Sequence, residues 1–311
     1  MSSIGSQDQN TVLNATKTHL DPFRDIIDRF GLVLGRQAET RAWLTPVDLG
    51  SFVVDEERFL EGEPLVGFLQ PDRLVQTLTL AASRMWPVLG VVFPSLAGSL
   101  TVLGDRIRDD AAWATSCLHA VALGDAAALE SAAIQAGVSP DFLLMALRTA
   151  YAPAIAAHKS ALTALAPVDL WRRSYCPVCG SDPDLAMLEN HPDPSEFLVS
   201  KSGEVWHHCP TCTHRWRFVR LVCPGCGNQN HETLNRFAVP GAPHEYIYTC
   251  EECRQYLPCL DLVEKSGVVD FERAALQAVH LDAVAQSRGY SPLSPAPWAA
   301  LGLGQEQAQA S

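Results

Sequence analysis

From residue 21 to about 166 the apolar positions recur at helical spacing, and almost no stretch alternates as a half-buried strand would. Leu74, Leu78 and, further on, Met85 follow Pro71 in that rhythm, and Leu144, Leu147, Tyr151 and Ile155 mark another such face. The punctuation agrees. Asp21-Pro22 reads as an N-cap with proline at the first helical position. An alanine-rich run from Asp105 to Leu123 stops at Gly124, and Asp125 can cap the next helix, which ends near Gly137. Ser139-Pro140-Asp141 starts another, with Pro153 expected as a kink. The pattern predicts an all-α region of about six or seven helices.

One stretch imitates a membrane span. Twenty uncharged residues lie between Arg84 and Asp105, which meets the length criterion. Pro87, Pro94, Gly90, Gly98 and Gly104 interrupt it, and no aromatic belt or basic flank orients it. A buried, broken helix pair is the expectation, with no membrane insertion.

The rhythm changes at Pro167. Short strand-like runs now alternate with turn residues, at 196–200, 204–209, 215–223, 233–238, 245–250 and 256–263. A final amphipathic helix is expected from Asp270 to about Gln286, ending at Gly289, followed from Ser291 by a Pro-rich tail that is irregular or docked as a strap. The predicted division is a loose tail at 1–20, an all-α domain at 21–168 and metal modules at 169–216 and 217–265, with the C-terminal helix and tail at 266–311. The fold class expected is multidomain α plus small β: an all-α N-terminal domain, two rubredoxin-like or zinc-ribbon-like metal modules and a C-terminal helix.

Cysteine spacing supplies the chemistry. Eight of the ten cysteines form Cys-x-x-Cys pairs: Cys176/Cys179, Cys209/Cys212, Cys223/Cys226 and Cys250/Cys253. A two-residue gap lets both thiolates converge on one ion at about 2.3 Å, and two pairs complete a tetrahedron. Four pairs imply two centres. Pairing in chain order puts Cys176, Cys179, Cys209 and Cys212 in the first and Cys223, Cys226, Cys250 and Cys253 in the second, with 29 and 23 residues between the pairs. A cross-braced arrangement, first pair with third, is the alternative. Glycine follows the second cysteine in the pieces Cys176–Gly180 and Cys223–Gly227, where a positive φ aims backbone N–H groups at sulfur. An all-thiolate tetrahedron accepts zinc or iron, and the spacing does not separate them.

Cys117, in an alanine-rich helix, and Cys259, in a strand-like run, read as buried small hydrophobes. His207 and His208 directly precede Cys209, where one could face the first metal, although four thiolates already complete that site. In the link between the sites, Arg215 and Arg217 alternate with Trp216 and Phe218, which go inward. Arg215, Arg217 and Arg220 are candidates for docking an acidic partner segment, or they offset the charge of the metal thiolates.

Charge and composition narrow the classes. Nearly half the residues are apolar, as in a folded chain, and the net charge is −12. Between Trp171 and Lys265 there are nine Lys/Arg against twelve Asp/Glu, the wrong balance for a ribbon that binds nucleic acid. The first twenty residues show no basic n-region and no apolar h-region, so the expectation is reduced thiols in a cytoplasmic protein.

With the motifs in order, the chain resembles the FdhE family of formate dehydrogenase accessory proteins. The resemblance rests on the helical first half, then Cys176–Ser181, Cys209–Arg220, Cys223–Cys226 and Cys250–Leu257 ahead of a C-terminal helix. It implies a cytoplasmic, non-enzymatic maturation factor that binds the immature catalytic subunit of formate dehydrogenase. It also shifts the metal preference from zinc to two rubredoxin-type iron ions on the eight cysteines. The competing readings are a rubredoxin-like electron carrier or thiol oxidoreductase, and a zinc-ribbon protein that binds nucleic acid.

Overall fold

Side-chain caps set where several helices of the first region begin. Asp55, Asp110, Asp125 and Ser139 accept hydrogen bonds from the backbone N–H groups of Arg58, Trp113, Ala128 and Phe142. A computed structural model describes residues 20–50, 52–190, 203–239, 242–263 and 268–298. The helices of the first region are α1 (Arg24–Trp43), α2 (Glu56–Glu61), α3 (Val75–Val92), α4 (Ala97–Asp109), α5 (Ala111–Ala122), α6 (Ala126–Ala136) and α7 (Pro140–Thr163). Short 3-10 turns at Leu65–Phe68, Pro71–Leu74 and Pro94–Leu96 connect them. Asp21 is not the N-cap expected: it lies inside a 3-10 turn that Leu20 precedes, and its carboxylate receives a hydrogen bond from Arg24.

The uncharged stretch is a broken helix pair; the break is at Pro94, whereas Pro87 lies inside the first helix without ending it. α3 ends at Val92, Pro94–Leu96 turns the chain, and α4 returns. Among the described residues no helix is long and apolar enough to cross a membrane. Pro153 does not interrupt α7. Proline has no N–H for the carbonyl one turn back, and that carbonyl, Thr149 O, instead accepts from Gln37 Nε2 at 3.2 Å.

The chain forms two compact units. One comprises Gly31–Asp182 with His208–Arg217, and the other comprises the described residues of Pro183–His207, those from Phe218 onward and those up to Phe30. In the helical unit, alanines 146, 150 and 154 line the buried face of α7, so neighbouring helices can approach closely. The indoles of Trp86 and Trp113 are buried, and each donates to a backbone carbonyl, Ala146 O at 2.8 Å and Ala132 O at 3.0 Å. Each large side chain fully buried in this way contributes roughly 1.5–3 kcal/mol.

The strands are β1 (Leu185–Glu189), β2 (Glu204–His208), β3 (Arg215–Phe218), β4 (Leu234–Val239), β5 (Ala242–Cys250), β6 (Gln255–Asp261) and β7 (Ser291–Pro292); β1 and β4 to β7 belong to the second unit. The strand order is β3-β2-β1-β6-β5-β4, with β7 beside β6. β2 and β3 carry the chain across the boundary between the units. β6 is parallel to β1, with Ala186 opposite Cys259, and antiparallel to β5, with Tyr248 opposite Leu257.

The expected single C-terminal helix is two, α8 (Phe271–Gln277) and α9 (Val279–Ser287), divided at Ala278. Leu281 and Ala285 of α9 pack with Ile247 and Tyr256, while Ala186, Leu188, Tyr246, Leu257 and Cys259 cluster together. The tail begins as a strap: Ser291 and Pro292 pair with Gln255 and Tyr256. The expected strand at 196–200 and the tail at 1–19 lie outside the described residues. The fold class is the one expected, a helical N-terminal region with a small sheet and two four-cysteine groups.

His158, on α7, is fully buried, and its ring nitrogens are both used. Nε2 accepts from Val47 N at 3.0 Å, and Nδ1 lies 2.9 Å from Ala154 O. Val47 N–H has only a donor to offer, which selects the neutral ring. Burial lowers the His158 pKa from its ordinary value of 6.5, against a smaller upward pull from the Ala154 carbonyl. A lowered histidine adds stability that is complete above about 6.5 and is lost as pH falls through the lower folded value. The helical unit is therefore expected to lose urea resistance between pH 7 and 5. A His158→Gln variant, measured beside it, separates this loss from acid release of metal: its slope is expected to be shallower, and equal slopes would refute the assignment.

Candidate metal centres

Each Cys-x-x-Cys pair sits on a tight knuckle closed by the same two backbone bonds or by one of them. In the first, Cys176 N donates to Ser181 O and Gly180 N to Cys176 O; in the second, Cys209 N donates to His214 O and Thr213 N to Cys209 O. Cys223 N to Asn228 O and Gly227 N to Cys223 O repeat the pattern, and Arg254 N to Cys250 O closes the fourth. The residue after the second cysteine has positive φ in all four: 76° at Gly180, 58° at Thr213, 75° at Gly227 and 56° at Arg254. Two knuckles use glycine, as its conformational freedom favours. The other two hold a side chain in that region.

Thr213 is fixed from outside its own loop. Lys159 Nζ, on α7, donates to Thr213 O at 3.2 Å and lies 3.0 Å from its Oγ1. The guanidinium of Arg254 contacts Glu251 at 2.5 Å, donates to Arg288 O at 2.9 Å and lies over the Tyr290 ring.

The sulfurs gather in chain order. Cys176, Cys179, Cys209 and Cys212 form one group and Cys223, Cys226, Cys250 and Cys253 the other, with the Sγ atoms of each group within 4.8 Å of one another. The cross-braced arrangement is not the one adopted. Cys176–Cys212 and Cys179–Cys209 are 3.4 Å apart, and Cys223–Cys253 and Cys226–Cys250 are 3.7 Å apart. A disulfide would be about 2.05 Å. A tetrahedron with metal–sulfur bonds of about 2.3 Å has edges of roughly 3.8 Å, so both groups fit one ion each. Neither His207 nor His208 joins a group. His207 stacks on Phe218.

The two groups differ in their surroundings. The first belongs to the core of the helical unit. Leu65 N and Val66 N donate to Pro177 O and Val178 O of the first knuckle at 2.8 and 2.9 Å. Trp216 Nε1 donates to Arg173 O at 3.1 Å, and Trp171 Nε1 to Tyr175 O at 2.8 Å. Cys176, Cys209 and Cys212 are buried and Cys179 is half-buried.

Burial pushes the Cys176 and Cys209 thiols up, whereas hydrogen bonds from Cys176, Cys209 and Cys212 hold Cys179 well below the thiol range. Cys179 thus ionises ahead of Cys176 and Cys209, and a divalent ion would let the group act as thiolates. The Tyr151 hydroxyl supports that fit. It is buried without a hydrogen-bond partner among the described residues, and it stays protonated because burial, and then the charge of all four sulfurs, raises its pKa. An O–H in that position suits a sulfur-rich anionic centre.

The second group lies in the sheet unit and meets solvent. Cys223 and Cys250 are buried, Cys253 is half-buried and Cys226 is exposed. Asn228 Nδ2 lies 3.5 Å from Cys250 Sγ and 2.7 Å from Thr233 Oγ1, so it donates toward sulfur from a fixed position. The β3 alternation is as expected, with Trp216 and Phe218 buried and Arg215 and Arg217 half-buried. Arg220 lies past the end of the strand and is exposed. Cys117 and Cys259 are buried, and burial raises both thiols to about 12, as packing residues require.

This asymmetry predicts two-phase metal loss. A strong chelator is expected to remove one equivalent at least about tenfold faster than the second, with iodoacetamide labelling Cys226 in the fast phase. Cys226→Ser is expected to halve the metal content and leave the melting of the helical unit unchanged. Cys209→Ser should lower that melting midpoint by on the order of 10 °C. Release of both equivalents in one phase would show that the difference in burial has no effect on lability.

No family profile matches the chain. It is 31% identical over 120 residues to a protein FdhE homolog of Aquifex aeolicus, a match covering 39% of this chain and 40% of that one. Over 139 residues it is 29% identical to protein FdhE of Escherichia coli O1:K1, covering 43% and 40%. The aligned part thus spans about 40% of the length of these curated relatives. The crystal structure of the FdhE protein from Pseudomonas aeruginosa shares the fold over 91% of both chains, with a TM-score of 0.54 and 21% identity. Over the aligned part the chain is similar in sequence to these FdhE proteins, and it shares the fold of a solved one.

Proposed function

We propose that the protein is a cytoplasmic accessory factor for formate dehydrogenase, and that it binds the immature catalytic subunit and carries one iron ion in each four-cysteine group. The observation that carries this reading is the conjunction of FdhE relatedness with two sulfur tetrahedra of the right edge length. Bound iron would add a one-electron couple, which zinc lacks. The residues of the chain supply the rest. Knuckle backbone bonds fix the cysteines, Tyr151 and Asn228 stand beside the sulfurs, and α7 braces the second knuckle through Lys159. Arg215, Arg217 and Arg220 are proposed to receive an acidic segment of the client.

A rubredoxin-like electron carrier is the second reading, and the exposure of Cys226 favours it, because a solvent-facing ligand shortens the path for an electron.

Affinity capture of the tagged protein from cells making formate dehydrogenase is expected to retain the catalytic subunit. A strain lacking the protein is expected to lose formate oxidation. No capture together with normal oxidation would refute the accessory role. Anaerobically purified protein is expected to hold two iron ions per chain and to be coloured, with the colour bleaching on reduction; a colourless protein with two zinc ions would remove both the iron assignment and the electron-carrier reading.

A further inference from the structure

A cavity of about 240 Å³ opens on the Ala186–Leu257 face of the sheet unit, beside the second four-cysteine group. Ala186, Val205, Phe218 and Leu257 form apolar wall, and Cys223 and Cys250 line one end. At this size it is smaller than the pockets of roughly 300–1,000 Å³ that take drug-sized ligands. Its occupant is accordingly small.

The charge of the lining runs against that of the chain. The protein carries a net charge of −12, yet no Asp or Glu lines the cavity, while Arg220 and Arg236 do. Both arginines are exposed at its edge. Arg220 donates to Gly203 O at 3.2 Å, and Arg236 lies over the Tyr246 ring. Neither has a carboxylate partner among the described residues. Tyr248 lines the same cavity as both arginines.

The segment above it is strained as well. Leu221 has a φ of 58°, which costs a non-glycine residue on the order of 1 kcal/mol. Val219 and Leu221 are apolar side chains exposed at the rim.

We propose that this cavity binds a small organic anion, an aromatic or branched carboxylic acid, with its carboxylate between Arg220 and Arg236 and its apolar body against Ala186, Val205, Phe218 and Leu257. A paired-arginine end and a hydrocarbon wall select that combination, since a charge-assisted hydrogen bond to a carboxylate is stronger than one to a neutral carbonyl. The site does not rest on the accessory role, although it shares Arg220 with the arginines proposed there to receive the client, and its cysteine wall links it to the second metal group. Metal at Cys223 and Cys250 holds that wall in place.

Calorimetric titration of the metal-loaded full chain with 3-phenylpropanoate and with its neutral analogue 3-phenylpropanamide tests this. The acid is expected to bind at least about tenfold more tightly than the amide. Arg220→Gln and Arg236→Gln are each expected to weaken the acid by about tenfold and leave the amide unchanged, whereas Arg273→Gln, elsewhere on the surface of the unit, alters neither. Ala186→Leu, with metal content and melting unchanged, is expected to weaken both ligands by filling the cavity. Equal binding of acid and amide would overturn the proposal and leave the arginines as counter-charges to the metal thiolates. Retention of acid binding in both arginine variants, or no binding of the acid at millimolar concentration, would also overturn it.

Discussion

Four sulfurs within 4.8 Å of one another cannot all be ionised without a cation among them. At an effective dielectric near 20, two thiolates about 3.5 Å apart repel by roughly 5 kcal/mol, and a tetrahedron has six such pairs. The knuckles hold the sulfurs at these separations by backbone bonds and by positive-φ residues, so the loops are shaped for an ion before anything else. The same constraint reaches further in the helical unit, where Lys159 of α7 and the Leu65–Val66 turn bond to the knuckle segments and Trp216 bonds to Arg173 ahead of the first.

One ligand set in two environments has two physical characters. The first group is continuous with the apolar core, so losing its ion also unpacks neighbours such as Trp171 and Trp216. The second rests on a small sheet with one sulfur in solvent, and its loss exposes little. Thermodynamic weight belongs to the first and chemical accessibility to the second.

Much of this is legible in the sequence because it follows from local rules. Asp125, Ser139 and Gly137 mark helix ends by their own chemistry, and Pro94 breaks the uncharged stretch where it stands. Chain-order gathering of the cysteines is the simpler of the two pairings that the spacing allows. Other features depend on distant partners. β1 escapes a reading by periodicity, because Leu185–Leu188 is buried on all sides and its apolar run carries no alternation. The continuity of α7 at Pro153 depends on Gln37, more than a hundred residues earlier. Glycine after the second cysteine announces two knuckles, while Thr213 and Arg254 hold the same backbone shape with side-chain partners outside the loop, Lys159 for the one and Arg288 O and Tyr290 for the other. Proximity in sequence groups Arg220 with Arg215 and Arg217, but Arg220 lies past the end of β3 and lines the cavity together with Arg236.

The helical unit takes its last piece, His208–Arg217, from beyond the first strand of the other unit. During synthesis the helices up to α7 therefore emerge with half of their sulfur ligands and the Trp216 side chain still missing. At elongation rates of about 5–20 residues per second, that gap lasts a few seconds. Over that interval Cys176 and Cys179 form an open, two-coordinate clip at the end of the nascent helical segment. Capture of an ion there would draw Cys209 and Cys212 into place as they leave the ribosome, which makes metal supply a determinant of folding yield as well as of the finished protein.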